Sequence, residues 1–150
     1  MLRKLLHSLV GPPPLDDPVF GRLVFKRRPI AGWHGETVFT PSGTKISLVI
    51  DANEAGPGDS QRQLYRKIES RWEDLRRAVS RELISFHNDV LEEEITDAWS
   101  IYRMSGVFLP RTESKRMNWE LRFDSSKDRD HKYVVEFEGW EPTGEIRPEG

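Results

Sequence analysis

The chain has no cysteine among its 150 residues. Disulfides, thiolate metal centres and a cysteine nucleophile are therefore excluded, and a reducing cytoplasm is the expected location. Long apolar runs are also missing, since nothing approaches the ~20 residues that cross a bilayer as a helix. Charge of one sign is not in excess. The formal net charge is −2, whereas a phosphate-binding domain normally shows a clear basic surplus, so no nucleic-acid partner is expected. The histidines, at positions 7, 34, 87 and 131, are scattered, and none has a second ligand at metal spacing. No Gly-rich phosphate loop and no nucleophile elbow occurs, so neither metal nor cofactor is expected.

Other features are present in quantity. Five tryptophans argue for a folded core, because disordered chains usually lack large aromatics. The length suits one domain, burying roughly two thirds of its unfolded surface. The first ten residues, MLRKLLHSLV, place Leu2, Leu5, Leu6, Leu9 and Val10 on one helical face with Arg3 and Lys4 opposite. The prolines of GPPPLDDP then favour a stiff extended spacer. Residues 1–15 thus read as a basic amphipathic leader and spacer, with weak membrane-surface contact by residues 1–10 as its functional option. Residues 16–150 read as a single α+β domain.

Three strands follow: VFGRLVFKRR, WHGETVFT and TKISLVID, the last two alternating cleanly across Pro41-Ser42-Gly43. A two-residue loop at Ser42-Gly43 would pair Phe39 with Ile46, Thr37 with Leu48 and Gly35 with Ile50. That register puts Ile46, Leu48 and Ile50 on one face with Trp33 and Phe39. Next, Leu64, Ile68, Trp72, Leu75, Val79, Leu83, Phe86 and Val90 recur at helical spacing. This predicts one long helix covering the sheet, opened by a Ser60–Gln63 capping box. Acidic residues Asp89, Glu92, Glu93, Glu94 and Asp97 are unfavourable at a helix C-terminus. They predict a break near Asn88 or Leu91 and a shorter second helix over roughly 94–104. Three more strands, VFLPR, NWELRFD and KYVVEFEGW, close the chain. The expected fold is an antiparallel sheet of about six strands, three before and three after the helices.

The stretch DANEAGPGDSQR places Asp51, Asn53, Gly56 and Asp59 where a calcium loop has its first, third, sixth and ninth positions. The fifth position is Ala55 and the twelfth is Arg62, a cation where the ion needs a bidentate carboxylate. The stretch therefore reads as a strand-to-helix turn. KRRPIAGWHG brings Lys26, Arg27 and Arg28 near Trp33, a combination that can hold a nucleic-acid backbone and stack a base. In a charge-balanced chain it reads as a solvated hairpin tip. The register above sets His34 opposite Asp51, with Glu36 on the same face, the beginnings of a general base without a nucleophile to act on. In the last hairpin the apolar faces pair Glu120 with Glu136, or in the alternative register with Glu138. Directly opposed like charges destabilise a ladder. Either Arg122 or Lys132 compensates diagonally, or Glu120, Glu136 and Glu138 await a cationic partner.

DDPVFGRLVF, WHGETVFTPSG, DANEAGPGDSQ and the ending NWELRFD with VVEFEGWEPTGE together resemble a bacterial domain-of-unknown-function family. The likeness spans roughly residues 16–144 and rests on turns, strand faces and aromatic anchors. It implies no catalytic residue. In size and strand-helix-strand plan, the resemblance points to small proteins that bind other proteins, toxin-neutralising immunity proteins included. The leading reading is a non-enzymatic protein-interaction module whose partner is another protein. The alternative is a small-molecule-binding or hydrolytic domain centred on His34 and Asp51.

Overall fold

A computed structural model describes residues 11–111 and 118–150. The leader's first ten residues, with the amphipathic face assigned to them, lie outside the described residues. The chain is α+β. Four strands, β1 (Leu15–Asp17), β2 (Gly21–Lys26), β3 (Gly32–Phe39) and β4 (Thr44–Ile50), precede two helices, α1 (Asp59–Ser70) and α2 (Trp72–Val90). Four more follow: β5 (Tyr102–Leu109), β6 (Asn118–Ser125), β7 (Lys132–Glu138) and β8 (Glu141–Glu149). All eight form one sheet in sequential order.

The expected sheet of about six antiparallel strands is corrected in two respects. It has eight strands, and β4 pairs with β5 in parallel while every other neighbouring pair is antiparallel. The helices explain the parallel pair. After β4 they carry the chain back across the sheet, so β5 begins at the same end as β4, as parallel neighbours require. The two added strands are the outermost ones. β1 starts at Leu15, inside the stretch read as spacer, and β8 contains Pro142 and Pro148, which an edge strand tolerates because part of its N–H row has no ladder partner.

The β3–β4 register is also corrected. Phe39 faces Thr44, Thr37 faces Ile46, Gly35 faces Leu48 and Trp33 faces Ile50, a shift of two residues from the expected pairing. The loop is Thr40–Gly43, closed by Ser42 and Gly43 N–H groups donating to the Phe39 carbonyl at 3.2 and 2.8 Å. Gly43 takes the left-handed conformation at φ +66°. Because the shift is even, the buried face is unchanged: Trp33, Phe39, Ile46, Leu48 and Ile50 are all in the core.

The helical stripe is buried through Leu64, Ile68, Trp72, Leu75, Val79 and Leu83. The expected single long helix breaks once, at Arg71, which ends α1 and opens α2 with φ −100° and ψ 11°. Past Leu83 the stripe turns: His87 is buried, while Val90 is 61% exposed. α2 ends at Val90, close to the expected break. The second helix over 94–104 is not formed. One 3-10 turn at Ala98–Ser100 stands in its place, capped by the Asp97 carboxylate, which accepts from Trp99 N–H at 3.1 Å. Tyr102 already belongs to β5, because that segment finds ladder partners in β4 and β6, and tertiary pairing overrides local preference.

The start of α1 also differs. Gly58 is its N-cap, and Gln61, not the Ser60–Gln63 pair, closes it by accepting from the Gly58 N–H at 3.2 Å. The buried Gln61 amide donates to the Asp51 and Pro110 carbonyls, both at 2.8 Å, tying α1 to the ends of β4 and β5. Arg62, unfavourable beside a helix N-terminus on its own, reaches Asp17 at 2.7 Å and Asp59 at 2.7 Å. No helix among the described residues is long and apolar enough to cross a membrane.

Candidate functional site

The helices cover one face of the sheet, and its other face is open. Alternation fixes what that face carries, since a side chain and its cross-strand neighbour share a face. One row runs Val24, His34, Val49, Phe108, Glu120 and Glu136 across β2 to β7. The next runs Glu36, Ser47, Gly106, Arg122, Val134 and Arg147 across β3 to β8. Val24 is 41% exposed and Val38, further along β3, 58% exposed. Val49 and Phe108 are half-buried. A shallow depression of about 490 Å³ lies between Arg22, Val24, Lys26, His34, Ser47 and Val49.

His34 faces Val49, not Asp51. Its Nε2 donates to the Ile30 carbonyl at 2.7 Å, since a carbonyl only accepts. Glu36 lies on the same strand and face but pairs with Lys45 at 2.8 Å. That ammonium, by hydrogen bond and by charge, holds the Glu36 carboxyl below its usual range. Asp51 stands beyond the end of β4, where its carboxylate takes a hydrogen bond from Arg111 Nε at 2.9 Å. The structure therefore does not assemble the expected His34–Asp51 pair: the two-residue shift replaces the acid with a valine.

DANEAGPGDSQR is a strand-to-helix connection. The Asn53 side chain accepts from Ala55 N–H at 2.9 Å, and the Asn53 carbonyl accepts from Gly56 N–H at 3.0 Å and from the Trp33 indole at 2.8 Å. Gly56 sits at φ +103°, and a Cβ there would come within 2.6 Å of Leu15, so the turn needs glycine at this position. Trp33, expected near Lys26 and Arg27 at the hairpin tip, has no exposed surface and cannot stack a base.

Glu120 and Glu136 are direct cross-strand neighbours, as the apolar faces required. Neither Arg122 nor Lys132 compensates them. Arg147 of β8 does, with Nη2 at 2.7 Å from Glu120 and Nη1 at 3.0 Å from Glu136. Asn118 also donates to Glu136, at 2.9 Å. Arg122 pairs with Glu149 at 3.2 Å, and Lys132 with Asp124. The Arg122 and Arg147 stems flank Val134 on this open face, where it is nonetheless buried. Glu138 is exposed at the end of β7, opposite Asn118 and Glu141. Arg147 was missed from the sequence because Pro142, Gly144 and Pro148 disguise its strand. Its signal was indirect: two opposed glutamates need a cation nearby.

A second group escaped the sequence reading. Buried His87 hydrogen-bonds through Nδ1 to the Tyr102 hydroxyl at 2.7 Å, and its Nε2 lies 3.5 Å from Glu93, which Lys127 engages. Burial, then the Lys127 charge, lowers the His87 pKa. Burial, then the Asp128 charge, pushes Tyr102 up to about 12. The signal was there, because His87 lies one helical turn beyond Leu83 on the stripe.

Charge on the open face is segregated. β1–β4 present Arg22, Lys26 and Lys45 against Asp16 and Glu36. β6–β8 present Glu120, Asp124, Glu136, Glu138, Glu141 and Glu149 against Arg122, Lys132 and Arg147. One half is thus net positive and the other net negative, with Val49 and Phe108 between them. Comparison with protein-family models, with curated proteins and with solved structures returns no match.

Proposed function

We propose that this chain is a non-enzymatic protein-interaction module that docks a partner protein on the open face of its sheet. The supporting observation is that face itself: exposed or half-buried Val24, Val38, Val49 and Phe108 flanked by a net positive and a net negative half. Apolar side chains provide the area removed from water, and the charge division orients the encounter. The partner this face fits carries an apolar patch, with acidic groups toward β2 and basic groups toward the exposed Glu138. The resemblance to the domain-of-unknown-function family, and through it to small protein-binding proteins, favours the same reading. The alternative centred on His34 and Asp51 loses support, since their side chains have separate partners.

The test is a comparison of wild type with Val24→Glu/Val38→Glu, whose positions are exposed and tolerate charge. Wild type should capture a partner that can be purified and rebound at micromolar or lower concentration. The double variant should lose at least tenfold in affinity with its melting temperature unchanged. A rebound partner held equally by the double variant would overturn docking on this face.

A further inference from the structure

The end of the sheet where β5 begins and β6 turns into β7 holds a second hollow, of about 450 Å³. Its charged lining consists of Arg103, Asp124, Asp128, Arg129, His131 and Lys132, with the hydroxyls of Ser125 and Ser126 beside them. Three permanent cations thus face two carboxylates before His131 is counted.

The carboxylates are already committed. Asp124 is engaged by Lys132. Asp128 Oδ2 accepts from the Tyr133 hydroxyl at 2.7 Å and from His131 Nδ1 at 2.9 Å, while its Oδ1 accepts from Asp130 N–H at 3.1 Å. Tyr133 is itself seated, its ring packed on Tyr102 and Phe86 at centroid distances of 5.5 and 5.8 Å. The arginines are not committed: neither Arg103 nor Arg129 has an ion pair or side-chain hydrogen bond among the described residues. Ser125, nearly buried, accepts from Lys127 N–H at 3.2 Å and so keeps its own hydroxyl proton to donate. The hollow therefore combines two guanidinium forks and hydroxyl donors with two carboxylates that already have partners of their own, Asp124 in Lys132 and Asp128 in Tyr133 and His131.

We propose that this hollow binds the phosphate group of a small phosphomonoester, held by Arg103 and Arg129 with hydrogen bonds from Ser125 and Ser126. Guanidinium pairs match phosphate oxygens in bidentate geometry. A phosphomonoester carries between one and two negative charges near neutral pH and offers three acceptor oxygens. The volume lies within the ~300–1,000 Å³ of small-molecule sites and leaves room for an organic group beyond a bare anion. The site shares Asp124 and Lys132 with the charged half of the open face but none of the apolar docking residues Val24, Val38, Val49 and Phe108, so the substitutions that test the two assignments are independent.

The experiment is a titration of the ¹⁵N-labelled protein with inorganic phosphate, ribose 5-phosphate and ribose at matched ionic strength, followed by amide shifts. Ribose 5-phosphate should produce saturable shifts at Arg103, Ser125, Ser126 and Arg129, at lower concentration than inorganic phosphate, and ribose none. Arg103→Gln/Arg129→Gln should weaken ribose 5-phosphate at least tenfold and leave the remaining spectrum intact, both side chains being exposed. Shifts that never saturate, or an unchanged affinity in the double variant, would overturn the site. Equal binding of inorganic phosphate and ribose 5-phosphate would overturn its assignment to a phosphomonoester.

Discussion

Arg147 shows how much one side chain can settle. Glu120 and Glu136 face each other directly, and their side chains are only 14% and 26% exposed. Without the guanidinium, two like charges would share a poorly hydrated space. Arg147→Ala should destabilise the fold by about 2–4 kcal/mol. Adding Glu120→Gln to that variant should restore part of the loss, because the repulsion then disappears. Thermal denaturation of the four proteins of this double-mutant cycle checks it, and a cycle without coupling would show that Arg147 and Glu120 act independently. His87 carries the second expectation at this scale. Its folded pKa is lowered by burial and then by Lys127, whereas the unfolded value is ~6.5. The unfolded chain then binds more protons, so stability is complete above pH ~6.5 and falls as pH drops through the folded pKa. His87→Gln should flatten that slope between pH 7 and 5 when melting temperature is followed against pH. A slope identical to wild type would assign the dependence to other groups.

Each helix is held at a different point along its length. Trp72, at the first position of α2, packs edge-on against Phe39 at 5.1 Å, and the preceding Arg71 lies over the Trp140 ring at 4.4 Å. The break between the helices thus spans the sheet, one residue touching β3 and its neighbour the turn before β8. Trp72→Ala should cost about 3–5 kcal/mol, read from urea denaturation; a near-neutral value would mean that the helix pair contributes little to the core. The start of α1 depends on Asp17, whose side chain is 3% exposed. Burial pushes its pKa up, but Arg62 and the N–H groups of Phe20 and Val19 outweigh this and leave it lowered. That stability is present above the unfolded value of ~3.9 and is lost as pH falls through the folded pKa. Arg62→Met leaves this carboxylate buried without its cation and should cost roughly 3–5 kcal/mol. Asp17→Asn/Arg62→Met should recover much of it, and failure to do so would assign the loss to packing of the arginine stem.

For the molecule as a whole, the edges matter as much as the core. β8 ends the sheet with Pro142 and Pro148 and a run of charged residues, features that discourage strand addition by a second molecule. Beneath it, β7 carries Tyr133, Val134, Val135 and Phe137, all buried. A chain ending at Trp140 would expose that strand as a long apolar edge and would also remove Arg147. It should associate or aggregate at micromolar concentration, whereas the entire chain should not; size-exclusion chromatography with light scattering distinguishes the two. A monomeric, folded chain ending at Trp140 would show that β8 is dispensable. The opposite edge is more modest. Leu15 pairs with Leu23 and is partly buried against the core, so a chain beginning at Asp16 should be about 1 kcal/mol less stable than one beginning at Leu15.

What the sequence determined alone was local. The α+β class, the helical stripe through Leu83, the stop near Leu91 and the buried face of β3 and β4 all follow from spacing, turn residues and propensities within a dozen positions. What only the tertiary structure decided is long-range. Period-two alternation does not register an even shift, so the hydrophobic pattern that placed Ile46, Leu48 and Ile50 correctly could not separate His34 opposite Asp51 from His34 opposite Val49. The four-residue loop decided that. The opposition of Glu120 and Glu136 was legible because an apolar face fixed it, but its compensation was not, since Arg147 lies on a strand that local propensity disfavours. β8 exists because Ile146 and Arg147 find partners on β7, and the parallel meeting of β4 and β5 because two helices intervene. Such pairings depend on residues far apart in the chain, where packing and hydrogen bonding outweigh local preference.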